Sequence, residues 1–145
     1  MSGTVGRVST YINTMGRTEE AFRFYADVFG TEIQSVMRFS DMGMTDLPPE
    51  EQDGVMHIVL PITGGHLLMG TDMLPSAGHE LRVGNNFSIN IEPDSREEAD
   101  RIYGRLLEGS TENSGPLTVM DWGAYWGSCL DRFGIRWMIN LPVAP

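Results

Sequence analysis

From Asn86 to Ile91 the chain alternates without a break, with Phe87, Ile89 and Ile91 on one side and Asn86, Ser88 and Asn90 on the other. A period of two predicts a half-buried strand whose apolar side lies beneath a helix. The helix follows at once, because Ala99, Ile102, Tyr103, Leu106 and Leu107 recur at helical spacing. The same sequence of patterns occurs earlier. A strand candidate over Val8 to Asn13 precedes an apolar stripe of Ala21, Phe22, Phe24, Tyr25, Val28 and Phe29. Thr18 is the expected N-cap of the first helix, Ser95 with Glu98 forms a capping box for the second, and Gly30 and Gly109 are stop signals. Three further strands are predicted in each half. The first set runs over 32 to 39, 54 to 62 and 66 to 71, with Gly64-Gly65 as a hairpin turn; the second lies near 117 to 120, 124 to 130 and 135 to 141. Asp131, Phe133 and Gly134 supply a tight turn into the last of these. Each half therefore reads βαβββ.

The two halves are also related in sequence. EEAFRFY at 19 to 25 and EEADRIY at 97 to 103 agree at five of seven positions, 78 residues apart. The expected organisation is one domain of two modules, 1–71 and 86–145, joined by a linker over 72–85 that carries Pro75, Gly78 and Gly84. A second irregular stretch, 40 to 54, is acidic and contains Pro48-Pro49, which suits a solvated loop or a mobile lid.

Composition narrows the chemistry. A net charge of −10 disfavours nucleic acid and anionic membrane, and no apolar run approaches the ~20 residues of a membrane span. All ten basic residues are arginine, so chemistry that needs a lysine amine of this chain is excluded. The opening MSGTVGRVST has neither the charged nor the hydrophobic region of a signal peptide, and the lone cysteine, Cys129, fits a reducing compartment; a cytoplasmic location is expected.

Three segments, YINTMGRTEEAFRFYADVFGTEI, HLLMGTD and WGAYWGSCLDRFGIRWMIN, resemble the vicinal oxygen chelate superfamily of glyoxalases, bleomycin resistance proteins and extradiol dioxygenases, and within it the PhnB-like branch. The resemblance implies an α+β fold in which two βαβββ modules form curved mixed sheets around a cavity, usually in a homodimer. It also implies metal ligands on the first and last strands of each module. Those positions fall near Thr10, Met69, Ser88 and Met138 here. Hydroxyl and thioether groups are poor ligands for hard or borderline divalent ions, so neither a metal nor another cofactor is expected.

The remaining candidates follow from strand parity. In VMHIVLPI, Met56, Ile58, Leu60 and Ile62 share one face, and His57, Val59 and Pro61 the other. His57 is then either a general base in a cavity or a structural histidine. His66 and His79 are expected to be solvated, and Asp72 to hold the linker through an Asx-type turn. Trp122, Tyr125 and Trp126, with Gly123 and Gly127, form either an aromatic ligand wall or part of the core. Asn90 and Ser88 suit ligand hydrogen bonds, as Arg136, Met138 and Asn140 suit the cavity lining. The expected function is metal-independent binding of a small molecule, with or without turnover. Drug sequestration of the bleomycin-resistance type and a metal-dependent lyase or dioxygenase are the alternatives. S-adenosylmethionine chemistry lacks its glycine-rich strand-to-helix turn.

Overall fold

The computed structural model describes residues 6–143, so the reading of residues 1–5 as part of a chain start without a signal peptide lies outside it. Two compact units divide the chain, Met1–Leu81 and Arg82–Pro145. The first contains β1 (Thr10–Thr14), α1 (Thr18–Phe29), β2 (Ser35–Arg38), a short α2 (Pro49–Gln52), β3 (Val55–Pro61) and β4 (Leu67–Asp72). The second contains β5 (Ile89–Ile91), α3 (Arg96–Leu106), β6 (Thr118–Met120), β7 (Ala124–Leu130) and β8 (Arg136–Pro142). Their sheets have the same topology, β1-β4-β3-β2 and β5-β8-β7-β6, each with one parallel pair and two antiparallel pairs. The architecture is α+β, built from two βαβββ arrangements. Among the described residues no helix is long and apolar enough to cross a membrane.

In each unit the helix lies on one face of the sheet. Phe22, Tyr25 and Val28 of α1 are fully buried with Ile58, Leu60 and Leu68, and Ile102 and Leu106 of α3 are buried with Trp137 and Ile139. Gly70 is required by this packing, since a Cβ there would stand 2.8 Å from the Phe22 ring. Three expectations, two about the apolar faces and one about a helix cap, need correction. Phe87 does not join Ile89 and Ile91 beneath the helix; it precedes β5 and is 66% exposed. In β3 the register against β2 shifts between Met37 and Arg38, so Val55 turns into the core and Met56 leaves the Ile58 face. Thr18 is the first helical residue rather than the cap, and Arg17, at the cap position, supplies no side-chain bond.

The task of capping α1 falls to a distant residue. Asp72, at the end of β4, accepts from the Thr18 N–H at 3.0 Å and the Thr14 hydroxyl at 3.2 Å through Oδ1, and from the Val55 N–H at 2.8 Å through Oδ2. One carboxylate thus joins the helix start, the end of β1 and the start of β3, which replaces the expected Asx turn. In the second unit, Ser95 accepts from the Glu98 N–H as expected, and the strand-end carboxylate is Asp131. Its Oδ1 accepts from the Phe133 and Ile135 N–H groups at 2.8 and 3.0 Å, and its Oδ2 from Trp137 Nε1 at 2.8 Å. Gly134, at φ 86°, completes that turn in the left-handed region.

The acidic stretch 40 to 54 is built rather than structureless. It holds a 3-10 turn at Ser40–Met42 and the helix α2, and Gln52 Nε2 donates to the Leu47 carbonyl at 2.7 Å. Arg38 anchors its base by bonding both Glu19 oxygens, at 3.0 and 2.9 Å, and the Asp53 carbonyl at 2.9 Å.

Replacing Asp131, only 1% exposed, by Leu would leave three donors without an acceptor. The expected loss is about 3 kcal/mol or more in urea unfolding. A loss below about 1 kcal/mol would show that the carboxylate does not organise the turn.

Candidate functional site

The face of each sheet turned away from its helix carries most of the residues singled out from sequence. In the first unit, Tyr11 of β1, Met69 of β4 and Val59 of β3 occupy one register row, and Asn13 and Thr71 pair in the next row. His57 lies on the same side, paired with Met37 of the edge strand. The Tyr11 and His57 rings stack with centroids 5.7 Å apart and planes 25° apart. The Tyr11 hydroxyl lies 3.2 Å from His57 Nδ1. If the phenol donates, His57 presents Nε2–H outward; if Nδ1–H donates, Nε2 is a free base. Burial pushes the Tyr11 phenol above its ordinary pKa, and a hydrogen bond with Thr71 opposes that shift.

Asn13 and Thr71 also border a pocket of about 320 Å³, completed by Phe39, Asp72, Met73, Leu74 and His79. A smaller pocket of about 230 Å³ adjoins the same Asp72–Leu74 wall and includes Glu50 and Glu51. His79 is not merely solvated, since its Nδ1 accepts from the Leu74 N–H at 2.9 Å. His66 is likewise engaged, with Nε2 2.8 Å from the Thr10 hydroxyl.

That contact exposes an error of register in the first strand. Thr10 shares its parity with the buried Ile12 and Thr14, so it belongs to the helix side, while Tyr11 and Asn13 face the other way. With Met69 matched to Met138, the partner of Tyr11 in the second unit is Asn90, 79 residues on. The helices repeat at 78, because the strand-to-helix connection is one residue longer in the first unit. An offset taken from the helices therefore misplaces the strand by one residue, which reverses its faces. Strict alternation within TYINT would have selected Tyr11. Ser9, also missed, donates to the Met69 thioether at 3.7 Å.

In the second unit the parity of the expected residues holds. Ile89, Ile91, Trp137 and Ile139 are buried on the α3 side, and Asn90, Met138 and Ser128 form a row on the opposite face. Asn140, Trp126 and Thr118 form the next row. Ser88 is half-buried just before β5, with the parity of Asn90. The aromatic wall is split: Trp126 meets the 64%-exposed Trp122 edge to face at 6.1 Å, but Tyr125 is buried on the α3 side. The Tyr125 hydroxyl donates to Asp100, which raises its pKa, and the Arg96 guanidinium covers its ring at 4.1 Å. Gly127 makes room for Leu117 and Tyr103 rather than for a ligand, since a Cβ there would meet them at 2.7 and 3.2 Å.

Among the described residues, the strand positions matched to metal ligands carry no carboxylate or imidazole. The matched strand positions carry Tyr11, Met69, Asn90 and Met138, which are a phenol, two thioethers and an amide. Among the described residues there is no group of three or more His, Cys, Asp or Glu side chains placed to hold an ion. S-adenosylmethionine does not fit either. Each sheet has one parallel pair, and the starts of the two long helices, α1 and α3, are already capped by Asp72 and Ser95.

Comparison with known proteins gives a consistent assignment of fold. The family described as 3-demethylubiquinone-9 3-methyltransferase matches residues 7–140. Protein YjdN of Escherichia coli K12 is 24% identical, over 92% of this chain and 94% of that one. The crystal structure of protein PA1353 from Pseudomonas aeruginosa, 27% identical, superposes with a TM-score of 0.79 over 97% of this chain and 100% of its own. A PhnB protein from Bacillus cereus, 22% identical, gives 0.74 over 94% and 99%. A glyoxylase/bleomycin resistance protein/dioxygenase domain from Frankia sp. EAN1pec, 16% identical, gives 0.62 over 96% and 93%. The last two likenesses concern the fold alone, which is the glyoxalase/bleomycin resistance fold.

Cys129 takes no part in either face. It is buried beside Trp137 in the ladder, and desolvation, with Asp131 and Glu112 nearby, pushes its thiol up to about 12. A disulfide reagent should label it only after unfolding in guanidinium. Full labelling of the folded protein within minutes would contradict its burial.

Proposed function

We propose that this chain, which belongs to the family described as 3-demethylubiquinone-9 3-methyltransferase within the glyoxalase/bleomycin resistance superfamily, binds a small organic molecule without a metal ion. The observation that carries the reading is the donor set on the helix-distal strand faces, where Tyr11, Met69, Asn90 and Met138 stand and no carboxylate or imidazole occupies the matched positions. Thioether, aromatic and amide groups are what an amphipathic organic ligand needs. His57 and Met69 contact ligand in the first unit; Ser88, Asn90, Trp126 and Met138 do so in the second. Tyr11 replaces Thr10 in this set.

Chemistry, where it occurs, rests on His57. Its stacked Tyr11 partner fixes the ring and one nitrogen, which leaves the other to donate to or accept from a ligand. A methyltransferase activity would require a cofactor that the sheet topology and the capped helix starts do not fit. The acidic protein operates in the cytoplasm as a homodimer in this reading. Val36 and Met37 on the edge strand β2, and Val119 on the edge strand β6, remain exposed in the single chain and are suited to burial by a second copy.

Two measurements test this. A panel of small aromatic and amphipathic compounds, screened with a chelator present, should include one that raises the melting temperature by about 5–10 °C at a hundredfold excess over Kd. His57→Ala and Met69→Ala should weaken that shift. The absence of any stabilising compound, or stabilisation that disappears with chelation, would overturn metal-independent binding. Light scattering should report about twice 16.1 kDa, and a monomer at micromolar concentration would remove the dimer from the account.

A further inference from the structure

The pocket of about 320 Å³ in the first unit lies one row beyond the Tyr11–Met69 pair, where Asn13 faces Thr71 across β1 and β4. Phe39 and Leu74, both buried, and half-buried Met73 supply its apolar walls, while Asn13 and His79 at its rim are exposed, so it opens to solvent. From Met73 to Ser76 the chain that follows β4 has no backbone donor to spare. The Met73 N–H donates to the Thr14 carbonyl at 2.7 Å, the Leu74 N–H to His79 Nδ1 at 2.9 Å and the Ser76 N–H to Glu51 at 3.2 Å, and Pro75 has none. The Thr71 hydroxyl donates to the Val55 carbonyl, and Asp72 already accepts from three donors. Polar recognition in the pocket therefore falls to the Asn13 carboxamide and the His79 ring. A ring nitrogen that accepts from a backbone N–H carries no proton, so the His79 hydrogen sits on Nε2 and the ring has one donor left.

We propose that this pocket binds a neutral molecule with a flat apolar body and a carbonyl oxygen, which accepts from His79 Nε2–H at the rim. The inference goes beyond the Tyr11–His57 face, and neither site depends on the other. The Asp72 carboxylate stands in the pocket wall with no arginine among the lining residues, so an anion finds no counter-charge. A cation finds the Asp72 oxygens engaged by Thr14, Thr18 and Val55. Phe39 and Met73 offer aromatic and polarisable surfaces, which favour a ring. The volume stands at the small end of ligand sites, which start at about 300 Å³, and so suits a single ring rather than a large cofactor.

The test uses acetophenone and α-methylstyrene, which share a shape but differ in having a carbonyl oxygen or a methylene. They are titrated into the full chain while the NMR signals of the Leu74 methyls and of the His79 and His57 rings are followed. Both probes should move the Leu74 methyls, and acetophenone should bind about fivefold more tightly and shift His79 Nε2. His79→Phe should reduce that preference to within about twofold. Asn13→Trp, at an exposed position, should block both probes without lowering the melting temperature of the free protein. The nitrogen spectrum of the free protein should show His79 with its proton on Nε2. Equal affinities in the wild type, undiminished binding to Asn13→Trp, or a His79 proton on Nδ1 would overturn the assignment. So would probes that leave Leu74 and His79 unmoved; if they move His57 instead, the reading of the Tyr11–His57 face stands while this one fails.

Discussion

Two buried carboxylates determine where the pieces of this protein meet. Asp72 ends β4 and gathers donors from α1, β1 and β3, while Asp131 follows β7 and ties its own turn to the indole of Trp137 in β8. Each satisfies three donors that would otherwise be buried without partners, and so sets the register of the strands beside it. The consequence reaches the candidate site. A fixed register turns Tyr11, His57 and Met69 to one face of the first sheet, and Asn90, Trp126, Met138 and Asn140 to one face of the second. Slippage by a single residue would exchange those side chains for core residues.

The same carboxylates mark the limit of what could be read from the chain. Amphipathic periodicity located both helices, and alternation located the strands of each sheet with their ends displaced by a few residues. The DRFG turn was legible because its bonds are local. The role of Asp72 was not, since its partners Thr14, Thr18 and Val55 lie up to 58 residues away in sequence. Thr18 therefore looked like a cap. Parity failed where local pattern was weakest: in β1 the position carried over from the resemblance fell on Thr10, on the helix side, rather than on its neighbour Tyr11, and in β3 a bulge exchanged Met56 for Val55. The pairing of Tyr11 with His57 joins residues 46 apart across the sheet and left no signal in either segment.

The family match over residues 7–140 places the chain in its family, but one fold hosts many chemistries. This chain presents thioether, phenol and amide groups at the matched strand positions. Thioether and aromatic groups of this kind suit contact with an organic surface, and the His57 ring stacks on Tyr11 among them. A methyltransferase description meets the objection of sheet topology and capped helix starts, and a metal site meets that of the side chains at the matched positions.

The claim that a small organic molecule is held without metal is tested most directly by the native mass spectrum of protein purified gently from its host and exchanged through a chelator. The account predicts a fraction of the chain heavier than 16.1 kDa by the mass of an organic ligand, released on collisional activation, with no transition-metal adduct. A stoichiometric adduct of one transition-metal ion per chain that survives the chelator, with no organic mass, would contradict it.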